Sequence, residues 1–255
     1  MLRLSNIHKT FEKGSVSEKM ALQGLSLEVP DGDFVTIIGS NGAGKSTLFN
    51  LIAGKFYPDH GNVTLDSVDI TFTPDYKRSR SIGYLFQDPH GGTAPHMTIL
   101  ENLTLASSEG KKSKEYYKER LSSLELGLEN RLSERVGSLS GGERQALTLL
   151  MATLTKPRLL LLDEHTAALD PKTAAKILEL TKKIVSDNKT TCLMITHNLK
   201  NALSMGNRTL MMAKGKIKLD IGAKERENMT EEALIKTFNS LTAEELSDRA
   251  LLREE

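Results

Sequence analysis

Leu25, Leu27 and Val29 alternate with polar neighbours, the period of a half-buried strand. Phe34-Val35-Thr36-Ile37-Ile38 is a second strand, richer in apolar residues. It runs directly into glycines and then into residues 45–53, whose pattern predicts a helix stopped by Gly54. Residues 159–162 are four leucines in a row, and residues 191–196 form another mostly apolar run. Apolar strands separated by helical segments predict an α/β fold with a parallel sheet covered on both faces. The stretch from Thr209 through the Lys214-Gly215 turn to Ile221 predicts a late hairpin.

The middle differs. From about Thr98 to Met151 the pattern is helical and charged, without apolar strands. Thr98 and Glu101 have the spacing of a capping box at its start. Lys111-Lys112-Ser113-Lys114 opens a charged stretch through Arg120, read as a solvated helix face, with an anionic partner as the sharper alternative. A second box, Thr242 with Glu245, and a staple of Leu241 and Leu246 predict a helical tail from Thr242 onward.

Bulk properties narrow the function classes. The chain has 255 residues, enough for one generous domain or a core with a subdomain. At 38% hydrophobic and 26% charged residues, a globular protein with a real core is expected. Lys plus Arg number 34 and Asp plus Glu 33, so the net charge of +1 gives no electrostatic footprint for nucleic acid or anionic lipid. The single cysteine, Cys192, allows no intrachain disulfide and reads as a small core residue. The N-terminus lacks the apolar stretch of a signal peptide. The densest apolar stretches, 147–154 and 159–162, fall short of the ~20 residues of a spanning helix, so a membrane role is expected only through a partner.

The strongest chemical signal is Gly39-Ser40-Asn41-Gly42-Ala43-Gly44-Lys45-Ser46. It matches G-x-x-x-x-G-K-[ST] and lies between a predicted strand and a predicted helix. Glycines let successive backbone N–H groups converge on a polyphosphate, and the helix N-terminus adds partial positive charge. Lys45 reaches the β- and γ-phosphates, and the Ser46 hydroxyl ligates Mg²⁺.

Such a loop needs a metal-holding acid on another strand. Asp163 emerges at the carboxyl end of the leucine strand, where open parallel sheets place ligands. It is suited to holding Mg²⁺, and Glu164, one residue on, to polarising an attacking water. A third motif, Leu139-Ser140-Gly141-Gly142-Glu143, precedes an apolar helical run. Ser-Gly-Gly before a helix is again an anion-binding nest. It stands about twenty residues before Asp163.

Together these motifs resemble the nucleotide-binding domain of the ABC ATPase family, over residues 1 to about 220. Residues 39–46 match the Walker A motif, 139–143 the signature, and Asp163 and Glu164 the end of Walker B. Gln87, in Tyr84-Leu85-Phe86-Gln87, matches the Q-loop glutamine, Ala168-Leu169-Asp170 the D-loop, and His197 the switch histidine. Phe11 sits where the family places an aromatic against adenine.

The resemblance implies a P-loop core sheet with an antiparallel β part and an inserted helical subdomain, about 90–150, within a domain spanning 1–225, followed by a helical tail, 226–255. It implies ATP and Mg²⁺ as ligands. Gly39 to Ser46, Thr47, Phe11 and Ser140, Gly141 and Gly142 would contact nucleotide; Ser46, Gln87 and Asp163 the metal; Lys45, Gln87, Glu164 and His197 the chemistry. Ser140, Gly141 and Gly142 would close over ATP held by a second copy in a head-to-tail homodimer. Further implied partners are membrane permease subunits and an extracytoplasmic substrate-binding protein, with the chain on the inner face of the membrane and no nucleic acid partner. The stretches 163–170 and 96–102 are similar to importer subunits that serve amino-acid-type binding proteins.

Two departures stand out. His165 replaces the proline usual after the Walker B glutamate and reads as a turn variant. The polar, glycine-rich stretch 88–97 occupies the region that meets the permease in the family. A non-transport ABC ATPase of DNA repair or translation typically carries two cassettes or long coiled coils. A small-molecule P-loop kinase would not need residues 139–143. A binding module without turnover would not need Glu164 and His197.

Overall fold

The computed structural model describes residues 1–107, 110, 112–237 and 239–240. The box expected at Thr242 and Glu245, with Leu241 and Leu246, lies outside them, as does Lys111. In chain order the elements open with β1 (Leu2–Phe11), β2 (Lys19–Val29), β3 (Phe34–Gly39) and α1 (Lys45–Ala53). Then come β4 (His60–Leu65), β5 (Val68–Asp69), α2 (Asp75–Arg78) and β6 (Ile82–Leu85). The helical middle holds α3 (Ile99–Ala106), α4 (Lys114–Ser122) and α5 (Gly141–Thr153). After it follow β7 (Leu159–Asp163), α6 (Pro171–Asn188), β8 (Thr191–Ile195) and α7 (Leu199–Ser204). The hairpin β9 (Arg208–Ala213) and β10 (Lys216–Ile221) leads to α8 (Ala223–Arg226) and a helical segment over 231–237.

The chain forms two compact units. One comprises Met1–Ile52, Phe56–Thr71 and the residues from Ile195 onward; the other comprises Ala53–Lys55 and Phe72–Met194.

In the first unit, β2-β1-β4-β5 make an antiparallel sheet. Residues 25, 27 and 29 are buried and Ser26 and Glu28 between them are exposed, as the alternation predicts. β9 pairs antiparallel with β10 and parallel with β3, all of whose apolar residues are buried. α1 starts and stops at the predicted residues, with Gly54 at φ +86° ending it. The turn of the late hairpin braces the loop between β3 and α1. The Gly215 N–H donates to Ala43 O at 2.9 Å, and Gly215 O accepts from Gln23 N at 3.1 Å.

In the second unit, β6, β7 and β8 lie side by side, with β6 and β7 parallel and Leu85 opposite Leu162. β7 and β8 are buried along their whole length, which is why both read as continuous apolar runs. Cys192 is buried in β8, and burial pushes its thiol up. The capping box at Thr98 forms on both sides: Thr98 Oγ1 accepts from Glu101 N at 3.2 Å, and Glu101 Oε2 from Thr98 N at 2.7 Å. α4 exposes most of the charged stretch and buries Tyr117 and Leu121. Among the described residues no helix is long and apolar enough to cross a membrane.

Candidate functional site

The loop from Gly39 to Gly44 is built by contacts that exclude side chains. Gly39 has φ +151°, and a Cβ there would collide with the carbonyl of Met212 in β9. At Gly44, φ +100°, a Cβ would stand 2.5 Å from the carbonyl of Ala21 in β2. The loop is thus wedged between β2 and β9, and only glycine fits at its two ends. The Lys45 ammonium bonds Gly39 O at 2.8 Å and Ser40 O at 3.0 Å, closing the loop on itself. Lys45 is buried, whereas Ser46 is exposed and Thr47 half-buried in the first turn of α1. That turn carries no acidic residue. Its N–H groups have no intrahelical acceptor, so a helix start beside a lysine ammonium suits a polyphosphate.

The same unit carries His197, exposed in the loop between β8 and α7. A cavity of about 220 Å³ is lined by Gly39, Ser40, Thr196, His197, Leu234 and Ile235 among others. The structure thus brings His197 to the start of the P-loop. Phe11 ends β1 and packs edge-on against Phe56, with ring centres 5.2 Å apart. Lys9 Nζ lies 5.7 Å from the Phe11 ring centre.

In the second unit, Asp163 ends β7 and is buried. Tyr84 in β6 donates its hydroxyl to Asp163 Oδ2 at 3.3 Å. Burial first, and the Asp163 charge next, hold the Tyr84 hydroxyl well above its ordinary pKa, so it stays a donor. Glu164 is half-buried with φ +47°, in the left-handed region. That is a strained backbone for a residue with a long side chain, of a kind that gathers at functional sites. Its carbonyl accepts from Ala167 N at 2.9 Å, closing a tight turn. His165 is buried beside it, with Nε2 3.1 Å from Thr181 Oγ1 on α6. Gln87 is exposed just after β6.

The signature folds as a capping box. Ser140 Oγ accepts from Glu143 N at 3.3 Å, and Glu143 Oε2 accepts from Ser140 N at 2.9 Å, at the start of α5. The other Glu143 oxygen meets Arg131, and these bonds hold the carboxyl below its ordinary pKa although burial alone would raise it. The buried Arg144 guanidinium donates to the carbonyls of Val136, Gly137 and Leu139, fixing the chain that enters the motif. Gly141 packs near Leu169, and Asp170 caps α6 by accepting from Thr173 N at 3.1 Å. Signature and D-loop therefore form one local assembly.

Three side chains escaped the reading of the sequence. Tyr84 bonds the buried Asp163 carboxylate from the neighbouring strand, a partner that no local pattern announces. Lys19 Nζ lies 4.0 Å from where a Cβ on Gly42 would stand, a second cation beside the loop. Arg226 reaches α7 over a separation no local pattern reveals.

Residues 22–167 match the family model described as ABC transporter. The tyrosine transport ATP-binding protein of Clostridioides difficile is 46% identical over 247 residues, covering 93% of this chain and 98% of that protein. The thiamine import ATP-binding protein ThiQ of Shigella sonnei is 37% identical over 194 residues, covering 75% and 82%. Among solved structures, the ATP-binding cassette MJ0796 bound to ADP and Pi superposes with a TM-score of 0.75 at 31% identity, covering 88% of this chain and 99% of that one. The ADP conformation of the cassette MJ1267 gives 0.77 at 28% identity, covering 95% and 98%. A glycine-wrapped P-loop, a capped signature helix and relatives matched along nearly their whole length agree: the chain belongs to the ABC transporter family, as an ATP-binding cassette that hydrolyses ATP to power transport.

Proposed function

We propose that the chain powers import of an amino-acid-class solute, working as an ATP-bridged homodimer under a membrane permease fed by an extracytoplasmic binding protein. The observation that carries the nucleotide chemistry is Lys45 held on the carbonyls of Gly39 and Ser40 at the head of α1. The solute class rests on the 46% identical relative named for tyrosine transport, and the permease and inner-face location on the family.

In this reading Lys45 and the first-turn N–H groups of α1 neutralise the phosphates. Phe11 lies against adenine. Ser46, Asp163 and Gln87 are oxygen donors of the kind Mg²⁺ takes, and the buried Asp163 carboxylate held by Tyr84 fits that task. The ion, when bound, supplies further charge neutralisation at the phosphates. Glu164 accepts a hydrogen bond from the attacking water and polarises it for in-line attack on the γ-phosphorus. His197 contacts the γ-phosphate from the same unit as the P-loop. Ser140, Gly141 and Gly142 of a second copy complete the phosphate shell. Positioning and fixed charge account for most of the acceleration. The helical subdomain, about 90–150, carries the signature.

Reconstitution tests the solute. The chain, its co-purified permease and binding protein in ATP-loaded proteoliposomes should accumulate an aromatic amino acid and not thiamine. Thiamine uptake, or efflux of the amino acid, would replace the solute class or the direction.

A further inference from the structure

We propose that the segment following β10 is a working part of the hydrolytic switch, with Arg226 as the positioning residue that holds α7 and, through it, the loop carrying His197. The inference rests on the reading of His197 given above.

Arg226 in α8 is only 9% exposed. One guanidinium nitrogen, Nη2, lies 2.9 Å from Ala202 O, 2.6 Å from Leu203 O and 2.8 Å from Met205 O. These carbonyls close the C-terminal end of α7, where no helical N–H is left to satisfy them. A positive charge at this end also complements the helix dipole. The described partners of Arg226 are backbone carbonyls, not carboxylates, and burial pulls its pKa below the ordinary arginine value. A cation desolvated this far, without an opposing charge, is costly unless its geometry is well met.

The knot extends to the strand that ends in the P-loop. Ala202 O also accepts from Thr36 Oγ1 of β3 at 2.8 Å and from Thr209 Oγ1 of β9 at 3.1 Å, and both threonines are fully buried. At the other end of α7, Asn198 caps the helix by accepting from Asn201 N at 2.9 Å. Thr196 Oγ1 accepts from Asn198 N at 3.1 Å, and Thr196 N donates to Ile37 O at 3.1 Å. His197 stands between these two anchored residues. α7 has six residues and spans only ~9 Å, so a shift at the Arg226 end reaches His197 with little damping.

The same segment touches the His197 end as well. Leu234 is fully buried against Ile38, Ala202, Met211 and Ile221. With Ile235 it lines the 220 Å³ cavity that His197 and Ser40 also line. The residues after β10 thus grip α7 at both ends, through charge at one and apolar packing at the other.

The test uses the full chain with Arg226→Met, which lacks donors, and Arg226→Lys, which keeps the charge and reaches fewer carbonyls. The Met variant should lose kcat on the order of tenfold at unchanged KM for Mg-ATP, because a displaced group costs rate and not ground-state binding. The Lys variant should regain most of that loss. In nucleotide-free protein, the imidazole NMR signals of His197, assigned by their absence in His197→Ala, should shift in the Met variant. Wild-type kcat with unmoved His197 signals would overturn the proposal. So would equal losses in kcat and ATP affinity that lysine does not restore, since those mark a purely structural role. If the Met variant does not fold, Arg226→Lys carries the test, and wild-type kcat and signals there would overturn the proposal. If His197→Ala itself hydrolyses ATP normally, the reading of His197 fails, while the NMR shift still reports separately on the Arg226 linkage.

Discussion

Thr173 occupies the space that a side chain on Gly142 would need: a Cβ on that glycine would overlap the Thr173 methyl. The second signature glycine therefore serves the packing of α5 on α6 within one chain, whatever it does toward a second copy. Gly142→Ala should destabilise the fold by about 1–3 kcal/mol, the usual cost of overpacking. Thr173→Ser removes the obstructing methyl, so the double variant should recover most of the loss in urea denaturation. Equal stability of wild type and Gly142→Ala would mean the helices separate easily here. Ser140 is exposed, and replacing it costs one cap bond, from Glu143 N, without overpacking the helices, so it is the milder probe of a shared site.

That probe is a complementation experiment. Ser140→Arg should leave ATP binding to its own P-loop intact and abolish turnover. Mixed with Lys45→Ala chains, it should regain partial ATPase activity, since one composite site then keeps both motifs. Loss of ATP binding by Ser140→Arg alone would place the motif at the nucleotide of its own chain.

The part of the fold nearest the chemistry was the most legible. β3, the P-loop and α1 announce themselves by apolar density, glycines and the stop at Gly54. β1 did not, although Leu2, Leu4 and Ile7 are fully or almost fully buried. Its register shifts between Leu4 and Ile7 and again between Ile7 and His8, and Asn6 sits at φ +49°, so the two-residue period is broken. β4 carries too few apolar residues, and β6 is too short, to read as a strand alone. Within the site, the motif residues were visible because their chemistry is local in sequence. Tyr84 and Arg226 were not, because their partners lie 79 and 21–24 residues away.

Two cations beside the loop should contribute unequally. Lys45 is buried and aimed into the loop, so Lys45→Ala should weaken ATP binding on the order of 10- to 100-fold, as for a lost charge-assisted bond, with the fold retained. Lys19 is exposed near Gly42, so Lys19→Ala should cost only a few-fold, and less at high salt. Nucleotide titrations at two ionic strengths separate the two. A larger loss from Lys19→Ala would reverse the order of importance.

His165 gives the stability of this protein an acid limb. Thr181 Oγ1 donates to Ile177 O at 2.8 Å, so it accepts from the imidazole and leaves the hydrogen on Nε2. Burial pulls the His165 pKa down to about 4. The unfolded chain takes up that proton near pH ~6.5. Stability from this residue is therefore full above about 6.5, falls as pH drops toward 4, and levels off below. The span is on the order of 3 kcal/mol by linkage. In buffer free of metal and nucleotide, urea midpoints at about pH 7.5 and about pH 5 should diverge for wild type and converge for His165→Gln. An unchanged slope in the variant would mean that the ring takes up its proton equally in the folded and the unfolded chain.

Glu164 combines a proposed chemical role with a strained backbone, and the two can be separated. Glu164→Gln keeps shape, size and φ +47°, so folding stability should not change. It removes the carboxylate proposed to polarise the attacking water, so hydrolysis should fall ~10²–10⁴-fold while Mg-ATP still binds. ATP bridging two copies then persists, and size-exclusion chromatography with ATP should show a dimer where wild type runs mainly as monomer. Glu164→Gly relieves the left-handed strain, and the folded state should gain up to about 1 kcal/mol while hydrolysis is equally lost. A gain in stability coupled to loss of rate is the mark of a residue kept in a poor conformation for its function. His165→Ala is the control: it should lower stability and reduce turnover far less than Glu164→Gln. If Glu164→Gln hydrolyses at the wild-type rate while a folded His165→Ala is dead, the base is His165, and the residue that replaces the family's proline carries the chemistry.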